Sequence, residues 1–478
     1  MLTILQPSVL RDDPHDCTDA KASLSLLRAF FDTLVRVDGA KVTPALATDW
    51  SVSDDARAWR FRMRPGVRFH DGAPCDAEAA ARSIRRMARE ERGVTLGAAG
   101  VWAQYLGGAD IRAEDSSTLA IDLAAPVADL PDILAQGFIA APSMLDALDG
   151  GNPAPPCGTG PYRFETADET GVTARAFEDH WNGAPSNPTV RWQAEPSAEA
   201  RVERLLSGEA QIACALHPDL AATLPPQDFT RVEHLDPVSI IFLMNAAEGP
   251  LADARLRRAL AQALDREAMC AAGRQGAARP LHGFMAPVAL GAASGRKLAP
   301  DPEAAPKNLA KAGHAGDLTL TLDCPTRLPD EAQALSAELA RQLAPLGVRL
   351  DIRLHEDREA YAHRVRRGEI GDLCVFDSSP LSTFRVLYEK IDSRVQGSWW
   401  QGFSNAEVEA LLDQGRATVD TPARARIYAR AYALLEEDPA WLTLYNPVQT
   451  TALAGRHESF AMPSDAVLDV AALPRIDL

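Results

Sequence analysis

The sequence predicts a mixed α/β fold of more than one domain, on three observations. The chain has 478 residues, and at roughly 100 to 200 residues per domain that supports two or three domains with sizeable cores. Hydrophobic residues make up 46% and charged residues 24%, a balance unlike that of disordered, collagenous or low-complexity chains. Strand-like alternation and helix-like periodicity follow one another along the chain, which argues against an all-α or all-β class.

The elements follow in order. Leu2-Thr-Ile-Leu-Gln6 reads as a first strand, and the residues around it, Met1 to His15, lack the basic segment, apolar core and small-residue cleavage site of an export signal. In Trp59-Arg-Phe-Arg-Met-Arg-Pro-Gly-Val-Arg-Phe-His-Asp-Gly72, Trp59, Phe61 and Met63 alternate with Arg60, Arg62 and Arg64. That period of two marks a half-buried strand with a wet arginine face. Pro65-Gly66 supplies a turn, and Val67 and Phe69 resume the alternation, so the segment is expected to be a β-hairpin. Asp76 is placed to cap a helix running to about Arg89.

Farther along, Asp253 is placed to cap a helix whose Leu256, Leu260 and Leu264 recur every fourth residue. Leu335, Leu339, Leu343 and Leu346 mark another helix, which Gly347 stops. Val348, Leu350, Ile352 and Leu354 then alternate with Arg349, Asp351 and Arg353, and Leu318-Thr-Leu-Thr-Leu-Asp323 precedes the helix. This order predicts a βαβ unit with parallel strands at 318–323 and 348–354. Asp149 to Gly158 and Ala286 to Gly316 are rich in turn formers and read as punctuation between lobes.

Composition excludes several functions. A formal net charge of −17 repels a polyanion, so nucleic acid is not an expected partner. No run of about 18 apolar residues is present to cross a membrane. The seven cysteines are scattered without a Cys-x-x-Cys pair; they read as reduced thiols and lean toward a reducing compartment. His355-Glu-Asp-Arg-Glu359 lacks the second histidine of a zinc-protease helix, and Gly291 to Lys297 lacks the spacing of a phosphate loop. Neither a nucleophile elbow nor a dinucleotide fingerprint is found. No metal, cofactor or catalytic residue is therefore expected.

A family resemblance rests on several of these segments. Pro44-Ala-Leu-Ala-Thr-Asp-Trp50 followed by Trp59 to Gly72 resembles the P-x-L-A-x-x-W and W-x-F-x-L-R-x-G-V-x-F-H-D-G pattern of extracellular solute-binding proteins of the peptide/nickel type, family 5. Gly158-Thr-Gly-Pro-Tyr162, His180-Trp-Asn-Gly-Ala-Pro185 and Leu206-Ser-Gly-Glu-Ala-Gln-Ile212 are similar to further family segments, with Gln211 replacing an acid. So are Arg255 to Glu267, behind Asn245 and Pro250, and Gln401-Gly-Phe-Ser-Asn405 with Glu407 to Leu412.

The resemblance implies a two-lobed, periplasmic-binding-protein-like α/β fold with an extra subdomain in the first lobe and a ligand cleft between lobes. Residues 1–40, 151–245 and 446–478 would form the first lobe, 41–150 the subdomain and 246–445 the second lobe. The chain would leave the first lobe after the strand Val238 to Asn245 and return along Trp441 to Asn446. The implied function is that of the substrate-binding component of an ABC importer. It would take a peptide or peptide-like solute by hinge closure and pass it to a permease and its ATPase. It would work as a monomer in the periplasm, meeting the membrane only through the permease. A cytoplasmic ligand sensor, a binder of nickel chelate, opine or oligosaccharide, and a hydrolase on the same scaffold are the alternatives.

The resemblance also nominates ligand-binding residues. Asp377, in the loop after the strand Asp372 to Phe376, stands where relatives carry an acid that pairs with a ligand amine; it could equally cap the turn Asp-Ser-Ser-Pro380. Arg327, past the strand 318–323 in a loop expected to face the cleft, could receive a carboxylate or be an ordinary surface arginine. Trp399 and Trp400, if in a strand, face opposite ways, so one is expected to line the cleft and the other to pack in the core. From the first lobe come His15 with Asp13 and Cys17, and Tyr162.

Overall fold

The computed structural model describes residues 1–10, 13–38, 41–94, 100–292, 300–301, 303–314, 317–327, 329–378, 382–397 and 399–476. Strands and helices intermix along the chain, which divides into two compact units, Met1–His234 with Gln449–Leu478, and Leu235–Val448.

In the first unit, strand β1 (Leu2–Gln6) is buried along its whole length. Later strands of this unit are β2 (Val35–Asp38), β3 (Lys41–Pro44), β4 (Ala47–Val52), β5 (Ala58–Met63), β6 (Asp110–Ala113), β7 (Thr118–Asp122), β8 (Tyr162–Ala167), β9 (Gly171–Ala176), β10 (Thr189–Ala194) and β11 (Ile212–Leu216). β1 lies parallel to β10 and β11, and β10, β9 and β8 continue the sheet antiparallel. Burial on both faces explains why β1 is continuously apolar apart from Thr3 and Gln6. A separate four-stranded sheet in the order β4–β5–β7–β6 lies within 41–150.

That small sheet corrects the expected hairpin. The turn forms, with Gly66 at φ 77°, but β5 already pairs with β4 on one edge and β7 on the other. No edge remains for Val67 and Phe69. They fold into a tight loop of their own, with a single bridge between Arg68 and Pro74 and the Phe69 amide bonded to the Ala73 carbonyl at 2.9 Å. The arginine stripe remains on the polar side, Arg60 pairing with Asp122 at 2.6 Å. The helix Ala77–Met87 begins where expected, Asp76 accepting from the Ala79 amide.

β12 (Phe229–Leu235) leads to the second unit, whose strands are β13 (Ser239–Met244), β14 (Ala278–Pro280), β15 (Leu318–Pro325), β16 (Val348–His355), β17 (Leu373–Ser378) and the first part of β18 (Trp441–Ala454). β16, β15 and β17 run parallel in that order, and β13 is antiparallel to β17 and to β18. The boundary between the two units falls at 234/235, ahead of the apolar strand β13. The cause is pairing: β13 is matched to β17 from Ser239↔Ser378 to Met244↔Leu373.

Alternation along β13 then builds two cores. Ile240, Phe242 and Met244 join the leucines of the helices Ala254–Ala263 and Ala332–Leu343. Ile241 and Leu243 face the other way, among residues of the helices Arg358–Arg366, Thr383–Lys390, Ala406–Ala417 and Thr421–Glu437. Each fully buried large apolar side chain contributes about 1.5 to 3 kcal/mol. The βαβ unit forms as expected, Gly347 ending the helical segment at φ 75°. The helix Ala304–Lys311, whose first amide donates to the Asp301 carboxylate at 2.9 Å, lies inside the stretch read as punctuation. Its signal is weak because only Ala305 and Leu309 of its residues are buried. Residues 293–297 of the glycine-rich segment lie outside the described residues.

Candidate functional site

Open parallel sheets gather ligands at the carboxyl ends of their strands, where loops diverge and amides are unpaired. In the second unit that edge is formed by Pro325, His355 and Ser378, the last residues of β15, β16 and β17. Register sets Pro325 opposite His355.

Two residues back on β15, Asp323 is 1% exposed. Its carboxylate holds His355 Nε2 at 2.6 Å and accepts from the Gly371 amide at 2.6 Å. The Tyr361 hydroxyl donates to the Val375 carbonyl at 2.5 Å, and burial pushes its phenol far up. Phe376 lies between two neighbours: its ring centroid is 4.5 Å from that of Trp399 and 5.0 Å from the Arg358 guanidinium carbon. Arg358 also stands 5.8 Å from the Tyr361 ring centroid. The pieces come from the carboxyl ends of β15, β16 and β17, from the helix Arg358–Arg366 capped by Asp357, and from the loop residues Gly371 and Trp399.

The nominated residues separate into those at this edge and those elsewhere. Arg327 is exposed, two residues beyond the end of β15. Asp377 is within β17 rather than in the loop after it, part-buried and opposite Ile240, because the β13 ladder extends the strand to Ser378. Ser379 and Pro380, the end of the turn that Asp377 was expected to cap, lie outside the described residues. Trp399 and Trp400 are not in a strand. Trp399 takes φ 68° and packs in the core against Phe376, 8% exposed. Trp400 is half-buried, its indole donating to the Phe403 carbonyl at 2.7 Å.

The first-unit residues have internal partners. His15 is 1% exposed, its Nδ1 2.8 Å from Arg86 and its Nε2 3.1 Å from the Ser83 hydroxyl. Asp13 holds the same Arg86 through both oxygens at 2.8 and 2.7 Å, which keeps its carboxyl below the usual range against the opposing effect of burial. Cys17 is buried, and Tyr162 is buried with its hydroxyl donating to the Asn187 carbonyl at 2.9 Å. Sequence reasoning had passed over Arg358, Phe376 and Asp323. The available signal for Arg358 was periodic: it stands one turn before Tyr361, Ala362 and Val365, the buried face of its helix.

Residues 41–376 match the family described as "Bacterial extracellular solute-binding proteins, family 5 Middle". The glutathione-binding protein GsiB of Salmonella paratyphi A is 26% identical over 448 residues, covering 90% of this chain and 86% of the relative. Among solved structures, HbpA2 from Haemophilus parasuis superposes with a TM-score of 0.82 at 20% identity, covering 98% of this chain and 97% of that one. The oligopeptide-binding protein AppA from Bacillus subtilis, solved with a nonapeptide, gives 0.78 at 19% identity over 98% and 97%. With 41–376 matched, most of its length, the chain belongs to the bacterial extracellular solute-binding proteins of family 5.

Proposed function

We propose that this protein is the substrate-binding component of an ABC import system, capturing a peptide or peptide-like solute by hinge closure and delivering it to an inner-membrane permease. The observation that carries the reading is the likeness over 90% of the chain to a relative that binds glutathione, a peptide. A carrier of this kind needs no reacting group. It holds an extended solute by backbone pairing and by charge-assisted bonds to its ends, each worth about 1.5 to 3 kcal/mol. The first lobe, built from two stretches of chain with a subdomain at 41–150, and the second lobe would close on the solute. Arg327 and Asp377, at the carboxyl-terminal edge of β15 and β17, are the proposed contacts to a carboxylate and an amine. Its working place, on this reading, is the periplasm, as a monomer, beside a permease and an ATPase.

The thiols are compatible with that address. Burial pushes Cys214 and Cys270 up to about 12 and Cys157 to about 11, and a thiol held protonated resists oxidation. The test is a thermal-shift screen of glutathione, dipeptides, tripeptides and longer peptides. A binder at 100 times its Kd adds about 2.7 kcal/mol of stability, so a clear rise in Tm is expected for at least one peptide class. An unchanged Tm across the whole panel contradicts the reading.

A further inference from the structure

We infer that Arg358 is an anion anchor of this protein's solute site and selects solutes that carry a free carboxylate. The inference rests on the peptide-carrier reading and adds a residue that neither the family pattern nor the strand-end reasoning supplied.

The first ground is an unmet charge. Arg358 is half-buried, and its Nε and Nη1 are shut from solvent with no hydrogen-bond partner among the described residues. Arg257 and Arg385 of this unit are answered by acids, Asp438 and Glu389, whereas Arg266, bonded through Nε to the Thr443 carbonyl, also keeps both terminal nitrogens unpaired among the described residues but lies in the core rather than at the strand ends. Charged donors without partners are costly in a dry setting. The acid of this cluster is already committed, since Asp323 holds His355 and the Gly371 amide.

The second ground is geometry. The guanidinium is stacked over the Phe376 and Tyr361 rings, at 5.0 and 5.8 Å from their centroids. Trp399 braces Phe376, 4.5 Å between ring centroids. Such stacking fixes the plane of a guanidinium while leaving its charge available to a planar carboxylate, which a flexible ammonium would not do. Nη2 is absent from the sealed nitrogens and is the side on which an anion can arrive.

The third ground is position. Arg358 occupies the first turn of the helix face completed by Tyr361, Ala362 and Val365. An apolar side chain there would serve packing better than a cation. The face lies against Phe376, two residues from the end of β17, at the sheet edge where ligands collect.

The test is calorimetric titration of wild type, Arg358→Leu and Arg367→Gln with a tripeptide set, each member as free acid and as C-terminal amide. Wild type is expected to favour acids, and Arg358→Leu to weaken acids roughly 10- to 100-fold while leaving amides within about twofold. Arg367→Gln, at an exposed arginine paired with Glu369 outside the site, is expected to keep the preference for acids. Binding of acids and amides alike by wild type, or a preference that survives in Arg358→Leu, overturns the assignment while leaving the carrier reading intact. Binding of neither form by wild type overturns the carrier reading itself, and the assignment with it. Phenylglyoxal labelling of the wild type needs no variant to fold: a saturating tripeptide acid is expected to protect Arg358, and equal modification with and without it overturns the inference.

Discussion

His15 illustrates how burial at a single residue is written into the pH dependence of the whole chain. Complete burial, with the Arg86 guanidinium beside it, pushes its imidazole from 6.5 down to about 4. Burial does the same to His70, also to about 4. In the unfolded chain these rings take a proton near 6.5, so unfolding binds protons as the solution is acidified. Their contribution is therefore intact above pH 6.5 and is lost as pH falls toward 4, by about 3 kcal/mol for His15. Urea unfolding at pH 7, 5.5 and 4.5 should show a shallower loss in His15→Gln than in wild type; parallel slopes would contradict the buried neutral ring. The thiols give a second residue-scale test. Cys17, Cys75, Cys270, Cys324 and Cys374 are buried, and Cys157 and Cys214 are intermediate. Ellman's reagent should titrate at most the latter two in native protein, and rapid reaction of all would contradict the burial. Arg327 was nominated from the end of β15 and Asp377 from the family resemblance, but the extent of β17 through Asp377 was not legible because its ladder with β13 sets it. Arg358 and Asp323 were not nominated, because their meaning comes from rings and amides far away in the chain.

At the scale of elements, caps and glycine stops were legible because they depend on four or five adjacent residues. Asp76, Asp253 and Gly347 each do what their position suggests. Asp76→Ala should cost about 1 kcal/mol, read as a lower urea midpoint with an unchanged slope; no change would mean the cap bond to Ala79 is not holding the helix. The hairpin was misread for the opposite reason. Whether Val67 and Phe69 pair with β5 depends on β4 and β7, which claim both of its edges. The parallel strand β16 shows the same dependence: its alternation was legible, but it lies at the sheet edge, paired among the described residues with β15 alone, and its Ile352 and Leu354 are 36% and 57% exposed. Gly160 belongs here too. A Cβ on it would come within 2.5 to 2.7 Å of backbone atoms of Ala29, Phe30 and Phe31. Gly160→Ala should therefore lower Tm by several degrees or prevent folding, measured against wild type by circular dichroism.

At the scale of the whole molecule, the mixed class and the family were legible because their signals are spread over many segments, so no single misread element could overturn them. The two compact units divide at 234/235 and 448/449, and the lobe bounds implied by the resemblance belong to the proposed function. The identity of the solute was not legible at all, since none of the matching segments carries a ligand-specific group. No helix among the described residues is long and apolar enough to cross a membrane. The most direct measurement of the central claim is native mass spectrometry of the freshly purified chain, followed by titration with glutathione and a peptide library. The account predicts one peptide or peptide-like solute bound per chain, retained on purification or acquired on titration. A chain that remains unliganded across the peptides, or that turns a bound peptide over into fragments, would contradict it.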